Sequence, residues 1–211
     1  MYKLLLLLFL TQIYFFAISG TSSRADASRT PFIVIVDPGH GGTDNGAVFH
    51  TARGAIAEKD LTLALARKLV LNLQNRGLRA VLTRTADQSV NLDMRAALAN
   101  RAKGTLLISI HINSSYNAQD SGLETYVLNA TSNDASQRLA SIENGKSHPL
   151  STLALIMSDL ETTASYSRSV ELACSIQNSV LSTLNHSGLQ TRSRGVRQAL
   201  FYLLIDRKSV V

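Results

Sequence analysis

The sequence predicts an α/β domain: a mostly parallel sheet covered by helices on both faces, with a helical insertion. Three observations predict it. Short β-branched or wholly apolar runs lack the polar alternation of a half-exposed sheet, so their strands are buried on both sides. These runs alternate with longer stretches of helical period. Between Thr131 and about Ser165 the helical pattern then repeats without an intervening strand.

In chain order, "MYKLLLLLFLTQIYFFAISG" sets one lysine before an apolar stretch, Leu4 to Ile18, and small residues follow as far as Ala25 to Ala27. The stretch is 15 residues long, short of the roughly 20 that span a bilayer. Residues 1–27 therefore read as a secretory signal peptide and 28–211 as the exported domain; an uncleaved anchor is the alternative. Export places the protein in the periplasm or cell envelope.

"FIVIV" (Phe32 to Val36) is the first strand and runs into Asp37-Pro38-Gly39; glycine-rich loop continues to Gly54. A helix opens at Glu58, carries Leu61, Leu65, Leu69 and Leu73 four apart, is apolar on much of its circumference, and stops at Gly77. "LRAVLTR" (Leu78 to Arg84), "TLLISIHI" (Thr105 to Ile112) and "GLETYVLNA" (Gly122 to Ala130) read as further strands, with a helix in "NLDMRAALANRA". Three helical patterns come next: "NDASQRLASIEN", "STLALIMSDLETT" with Leu153, Ile156, Met157 and Leu160 on one face, and "SRSVELACSIQNSVLSTL" with Leu172, Ile176, Val180 and Leu184. Residues 131 to 165 thus form the insertion within one domain. Phe201 to Ile205 read as a last strand, and the apolar run begun at Val210-Val211 predicts a chain truncated at its C-terminus.

Charge and cysteine count narrow the chemistry. The whole chain has 21 basic and 15 acidic residues, and without Lys3, Arg24 and Asp26 it keeps 19 and 14. That excess is scattered, which suits an anionic polymer but not nucleic acid in an exported monomer. Cys174 is the only cysteine, so neither an internal disulfide nor a thiolate cluster can form, and it reads as a small core residue of a helix. Any metal must be held by histidines and carboxylates.

His40 follows the first strand, Glu58 starts the first helix and His111 ends the third strand. In an open parallel sheet the carboxyl ends of the strands share one edge, where ligands bind, so the two histidines should converge there with Glu58 close by. Two imidazoles and a carboxylate are a ligand set for catalytic zinc with one open position. Each has a plainer explanation: a strand-end histidine is often a hydrogen-bonded loop residue, and a glutamate in a first turn suits the helix macrodipole. His50, His148 and His186 lack matching partners and read as surface residues. A phosphate-binding loop at "GHGG" is disfavoured, since neither GxGxxG nor the P-loop lysine pattern occurs.

The ordered blocks "DPGHGGTDNGA", "EKDLTLALARKL", "LTRTADQSVNLDMRAALAN", "SIHINSS" and "RGVRQALFYLL", from about Phe32 to the last residue, resemble the zinc-dependent N-acetylmuramoyl-L-alanine amidases of the amidase-3 family. The resemblance implies zinc as cofactor, His40, Glu58 and His111 as its ligands, and hydrolysis of the amide between the lactyl group of N-acetylmuramic acid and L-alanine in peptidoglycan. Arg84, Asp87 and Arg95 fall in its structural blocks and read as charge pairs bracing loop and helix. The family's acid/base glutamate lies on a strand beyond "LLIDRKSVV", so the catalytic residue is unknown and expected after Val211, and the chain as it stands should bind zinc yet hydrolyse poorly. The resemblance also implies that helices inserted at this place cover the zinc until an envelope activator protein displaces them. Glu143, in "SIENGK", is the candidate inhibitory ligand, with Glu124 and Glu161 as rivals. The competing reading is a noncatalytic zinc-containing peptidoglycan-binding module.

Overall fold

A computed structural model describes residues 31–52, 54–113, 121–145, 148–149 and 163–205. Its centre is a parallel three-stranded sheet ordered β4-β1-β5, built from β1 (Ile33–Pro38), β4 (Arg79–Leu82) and β5 (Leu106–Ile110). All six residues of β1 are buried, as expected of a strand covered on both faces.

Alternate side chains of β1 explain the cover. Ile33 and Ile35 point to one face and pack with Leu107, with Ala96 and Ala99 of α2 (Leu92–Arg101), and with Leu203 and Leu204 of a short α5 (Tyr202–Ile205). Val34 and Val36 point to the other face, against Ala66 of α1 (Glu58–Asn75) and Ala80 of β4. Helices thus cover both faces. The period of two along β1 sorts the core into two clusters.

A second parallel pair joins β6 (Leu123–Leu128) to β7 (Ser193–Ala199), with α4 (Thr163–His186) packed on it. The buried amide of Gln177 on α4 accepts from Thr125 Oγ1 (2.6 Å) and donates to the Leu123 carbonyl (2.8 Å), tying helix to strand. Of the insertion, α3 (Asp134–Asn144) is described, capped by Asn133, whose side chain accepts from the Ser136 N–H. Ser136, Ala140 and Asn144, spaced four apart, form its buried stripe. The helical pattern at 151–162, with Glu161, and the segments 1–30 and 206–211 lie outside the described residues.

Several expectations are corrected. The glycine-rich stretch before Glu58 contains an antiparallel hairpin, β2 (Val48–Thr51) with β3 (Gly54–Ala57). Phe201 to Ile205 do not form a strand: four of these residues are the helical turn α5, because an apolar run this short fits either structure and packing against α2 decides. Polar "SRGVRQA" becomes β7 through pairing with β6, which no local period announces. α1 is buried along a narrow stripe of Glu58, Thr62, Leu63 and Ala66, while Leu65 is exposed. On α4 the buried positions are Ser169, Ala173 and Gln177, so Cys174, one residue further round, is exposed rather than in the core.

Candidate metal centre

The pairing of Pro38 with Ile110 puts the ends of β1 and β5 side by side, and the Gly39 N–H donates to the Ile110 carbonyl (3.0 Å) just beyond. His40 and His111 leave the sheet there with ring centroids 4.9 Å apart in an edge-to-face arrangement. A side chain at Gly39 would collide with the His111 ring, its Cβ falling 2.5 Å from Cε1. Glycine here is a condition of the two histidines meeting.

Glu58 arrives as the first residue of α1. Its carboxylate is 1 % exposed and accepts from the Ala47 N–H (2.9 Å) and the Ile112 N–H (2.6 Å). Glu58 Oε1 lies 3.2 Å from His40 Nε2 and 3.4 Å from His111 Nδ1. One donor atom each from His40, Glu58 and His111 lie within 4.8 Å of one another. The structure therefore brings together the three residues that the sequence proposed.

His40 is held in an unusual conformation. Its φ of +61° is in the left-handed region, which non-glycine residues adopt at a cost of about 1–3 kcal/mol. Carbonyl capture holds it there: the buried Arg95 guanidinium donates to the carbonyls of Pro38 (2.7 Å) and His40 (2.6 Å) and pairs with Asp37 (2.8 Å). Buried Arg84 donates to the carbonyls of Pro38 (3.1 Å), Gly39 (2.9 Å) and Lys59 (2.8 Å). Asp87 accepts from the Gly42 N–H (2.7 Å) and pairs with Lys59 (3.0 Å). Arg84, Asp87 and Arg95 brace loop and helix as expected, although Arg84 does so through carbonyls and not a carboxylate.

Asp44 was not legible as a site residue. Its Oδ2 lies 2.9 Å from His40 Nδ1, and its Oδ1 accepts from the Gly46 N–H (3.0 Å). An ionised carboxylate can only accept, so Nδ1 donates to Asp44, which leaves Nε2 as the nitrogen directed toward Glu58 and His111. That Nε2 is buried and has no aligned hydrogen-bond partner. A buried, unsatisfied nitrogen facing an imidazole and a carboxylate fits a metal ligand. The only signal in the sequence was an aspartate four residues after His40.

Charge follows the geometry. Burial works against protonation of His40, but in the metal-free site the Glu58 and Asp44 carboxylates prevail and raise it to about 9, so Nε2 holds a proton there that a metal would have to displace. Burial likewise opposes ionisation of Glu58, yet the His111 and His40 rings beside it and bonds from two backbone N–H groups hold it well below the usual carboxylate range.

Glu143, at the end of α3, reaches the same place: its Oε2 lies 3.3 Å from His111 Nδ1 and 3.9 Å from His40 Nε2. Its rival Glu124 is engaged elsewhere, paired with Arg194 and accepting from the Tyr126 hydroxyl (2.5 Å). His50 and His186 are exposed. His148 is corrected: its side chain is 16 % exposed and its ring stacks on Tyr202 at 3.5 Å.

Known proteins resemble the chain along most of its length. The family described as N-acetylmuramoyl-L-alanine amidase matches residues 34–210. The solved N-acetylmuramoyl-L-alanine amidase of Clostridium difficile 630 is 27 % identical, with a TM-score of 0.60 over 86 % of this chain and 76 % of that one. For amidase AmiC2 of Nostoc punctiforme the values are 31 %, 0.54, 84 % and 73 %. Amidase AmiC of Escherichia coli O6:H1 is 32 % identical over 129 residues, 60 % of this chain and 30 % of that protein. The chain spans between 28 % and 62 % of the length of three curated relatives it matches.

Proposed function

Because this chain belongs to the N-acetylmuramoyl-L-alanine amidase family, we propose that it hydrolyses the amide between the lactyl group of N-acetylmuramic acid and L-alanine in peptidoglycan, with zinc as cofactor. The observation that carries the reading is the meeting of His40, Glu58 and His111, with donor atoms within 4.8 Å of one another. Zinc bound by these residues would act as a Lewis acid on the scissile carbonyl and on water. The chain's own residues then do the positioning. Asp44 orients His40 so that Nε2 faces Glu58 and His111, the Ala47 and Ile112 N–H groups hold Glu58, and Gly39 and Gly46 leave the space that the His111 and His40 rings occupy.

The same reading makes Glu143 an inhibitory ligand that occupies the open corner until α3 is displaced, the role for an envelope activator protein. The substrate lies outside the cytoplasm, so the site of action is the periplasm or cell envelope, after removal of residues 1–27.

The test is zinc content together with peptide release from purified sacculi, for the wild type, His40→Ala, Glu58→Ala and His111→Ala. All three variants should lose zinc, and wild-type zinc content in them would refute the ligand assignment. Zinc and sacculus binding without release, in a chain carrying the expected glutamate, would identify the noncatalytic binding module instead.

A further inference from the structure

We propose that Asn144, together with His148, Tyr202 and Asp93, forms a latch that keeps α3 seated and thereby holds Glu143 against the two histidines. The inference rests on the reading of Glu143 as an inhibitory ligand and names what regulates it.

Asn144 is the last residue of α3 and is 4 % exposed. Its Oδ1 accepts from the Tyr202 N–H (2.8 Å) and its Nδ2 donates to the Leu200 carbonyl (2.7 Å). One side-chain amide thus satisfies a donor and an acceptor of the segment leading into α5, as a neighbouring strand would. It is the polar end of the seated stripe of α3; Ser136 and Ala140, further up, are small. Ile142, two residues before, is 75 % exposed, so the outer face of the helix end is open.

Gly145 follows with a φ of +64°, and His148 lies against the same tyrosine. The His148 ring lies on the Tyr202 ring at 3.5 Å and 25°. Its Nε2 is 3.3 Å from Asp93 Oδ1, which also accepts from the Tyr202 hydroxyl (2.6 Å). Two attachments, one on each side of Gly145, therefore meet on Tyr202. Asp93 sits in the first turn of α2, the helix whose Arg95 holds the His40 carbonyl. The latch is anchored to the element that frames the metal centre. Asn144 follows Glu143 directly, so α3 cannot leave this seat without carrying the carboxylate away.

Asn144 and Tyr202 act here as positioning residues. The experiment follows zinc transfer from the loaded full chain to a chromogenic chelator, alongside amide exchange of the metal-free protein. Glu143→Ala should speed zinc release at least tenfold. Asn144→Ala and Tyr202→Leu should approach that rate, and Glu143→Ala combined with Asn144→Ala should be no faster than Glu143→Ala alone. In the two latch variants, exchange should rise at residues 134–144 and stay unchanged in β1 and β5; a general loss of fold would raise both. Fast release in Glu143→Ala with wild-type rates in both latch variants overturns the latch and leaves the plug standing. A wild-type rate in Glu143→Ala refutes the plug itself. Unchanged exchange across α3 in Asn144→Ala overturns the latch whether or not zinc binds.

Discussion

Replacing Arg95 by alanine should remove a large part of the stability of the domain. The guanidinium makes four hydrogen bonds, to the carbonyls of Val90 (2.8 Å), Pro38 (2.7 Å) and His40 (2.6 Å) and to Asp37 Oδ1 (2.8 Å). In the variant the Asp37 carboxylate, 1 % exposed, keeps only the hydroxyls of Thr83 and Ser109. Removing one partner of a buried ion pair costs about 3–5 kcal/mol, against a total of about 5–15 kcal/mol for a domain. With a urea dependence of about 2 kcal/mol per molar, the unfolding midpoint should fall by about 1.5–2.5 M. Equilibrium unfolding of the metal-free chain, followed by far-UV circular dichroism, reads this directly. Asp37→Ala completes a cycle in which the double variant should lose less than the sum, by about 0.5–3 kcal/mol. A midpoint shift below about 0.5 M, or strict additivity, would refute the claim that this pair holds the loop.

Three further outcomes are expected. Burial opposes ionisation of Asp37, but Arg95 and the two hydroxyls outweigh it and hold its pKa below normal. Its stabilisation is thus complete above the unfolded value of about 3.9 and lost as pH falls toward the folded one, so Arg95→Ala should move acid unfolding to higher pH. Asp44→Asn should weaken zinc binding about 10- to 100-fold in a competition titration while leaving the urea midpoint nearly unchanged; unaltered affinity would show that Asp44 does not orient His40. Gly46→Ala should abolish zinc binding, because its Cβ would lie 2.5 Å from His40 Cδ2 and 2.8 Å from Glu58 Oε2 at a φ of +61°. Retained binding there would mean that the two ligands move apart freely.

The meeting of His40, Glu58 and His111 could be read from the sequence because the three stand at ends of strongly patterned elements, while their reading as zinc ligands rested on the family resemblance. "FIVIV" and "TLLISIHI" are apolar enough to be fixed as buried parallel strands, and parallel neighbours bring the residues at their carboxyl ends to one edge. Residues whose roles depend on tertiary partners stayed hidden. Asn144 is a polar residue in a polar helix end, and its role exists only once Leu200 and Tyr202 pass beside it. β7 has no apolar period of its own, and α4 buries Ala173 while exposing Cys174 through a rotation of one residue that hydrophobicity does not resolve.

The two histidines are fixed by a frame far stiffer than the contact that covers them. His40 stays in its left-handed conformation because buried guanidinium groups hold the carbonyls of Pro38, Gly39 and His40, and breaking the ion pair behind one of them costs about 3–5 kcal/mol. The seat of Glu143 depends on two neutral hydrogen bonds of Asn144, one accepted and one donated, worth about 0.5–1.5 kcal/mol each, on one stacked pair of rings, and on contacts of His148 and Tyr202 with the exposed Asp93 carboxylate. A ligand or protein that pulls on α3 therefore meets the weaker attachment first. On the proposed reading of Glu143 as a plug, α3 would leave while the arrangement of His40, Glu58 and His111 survives, the order of events that a reversible cover requires.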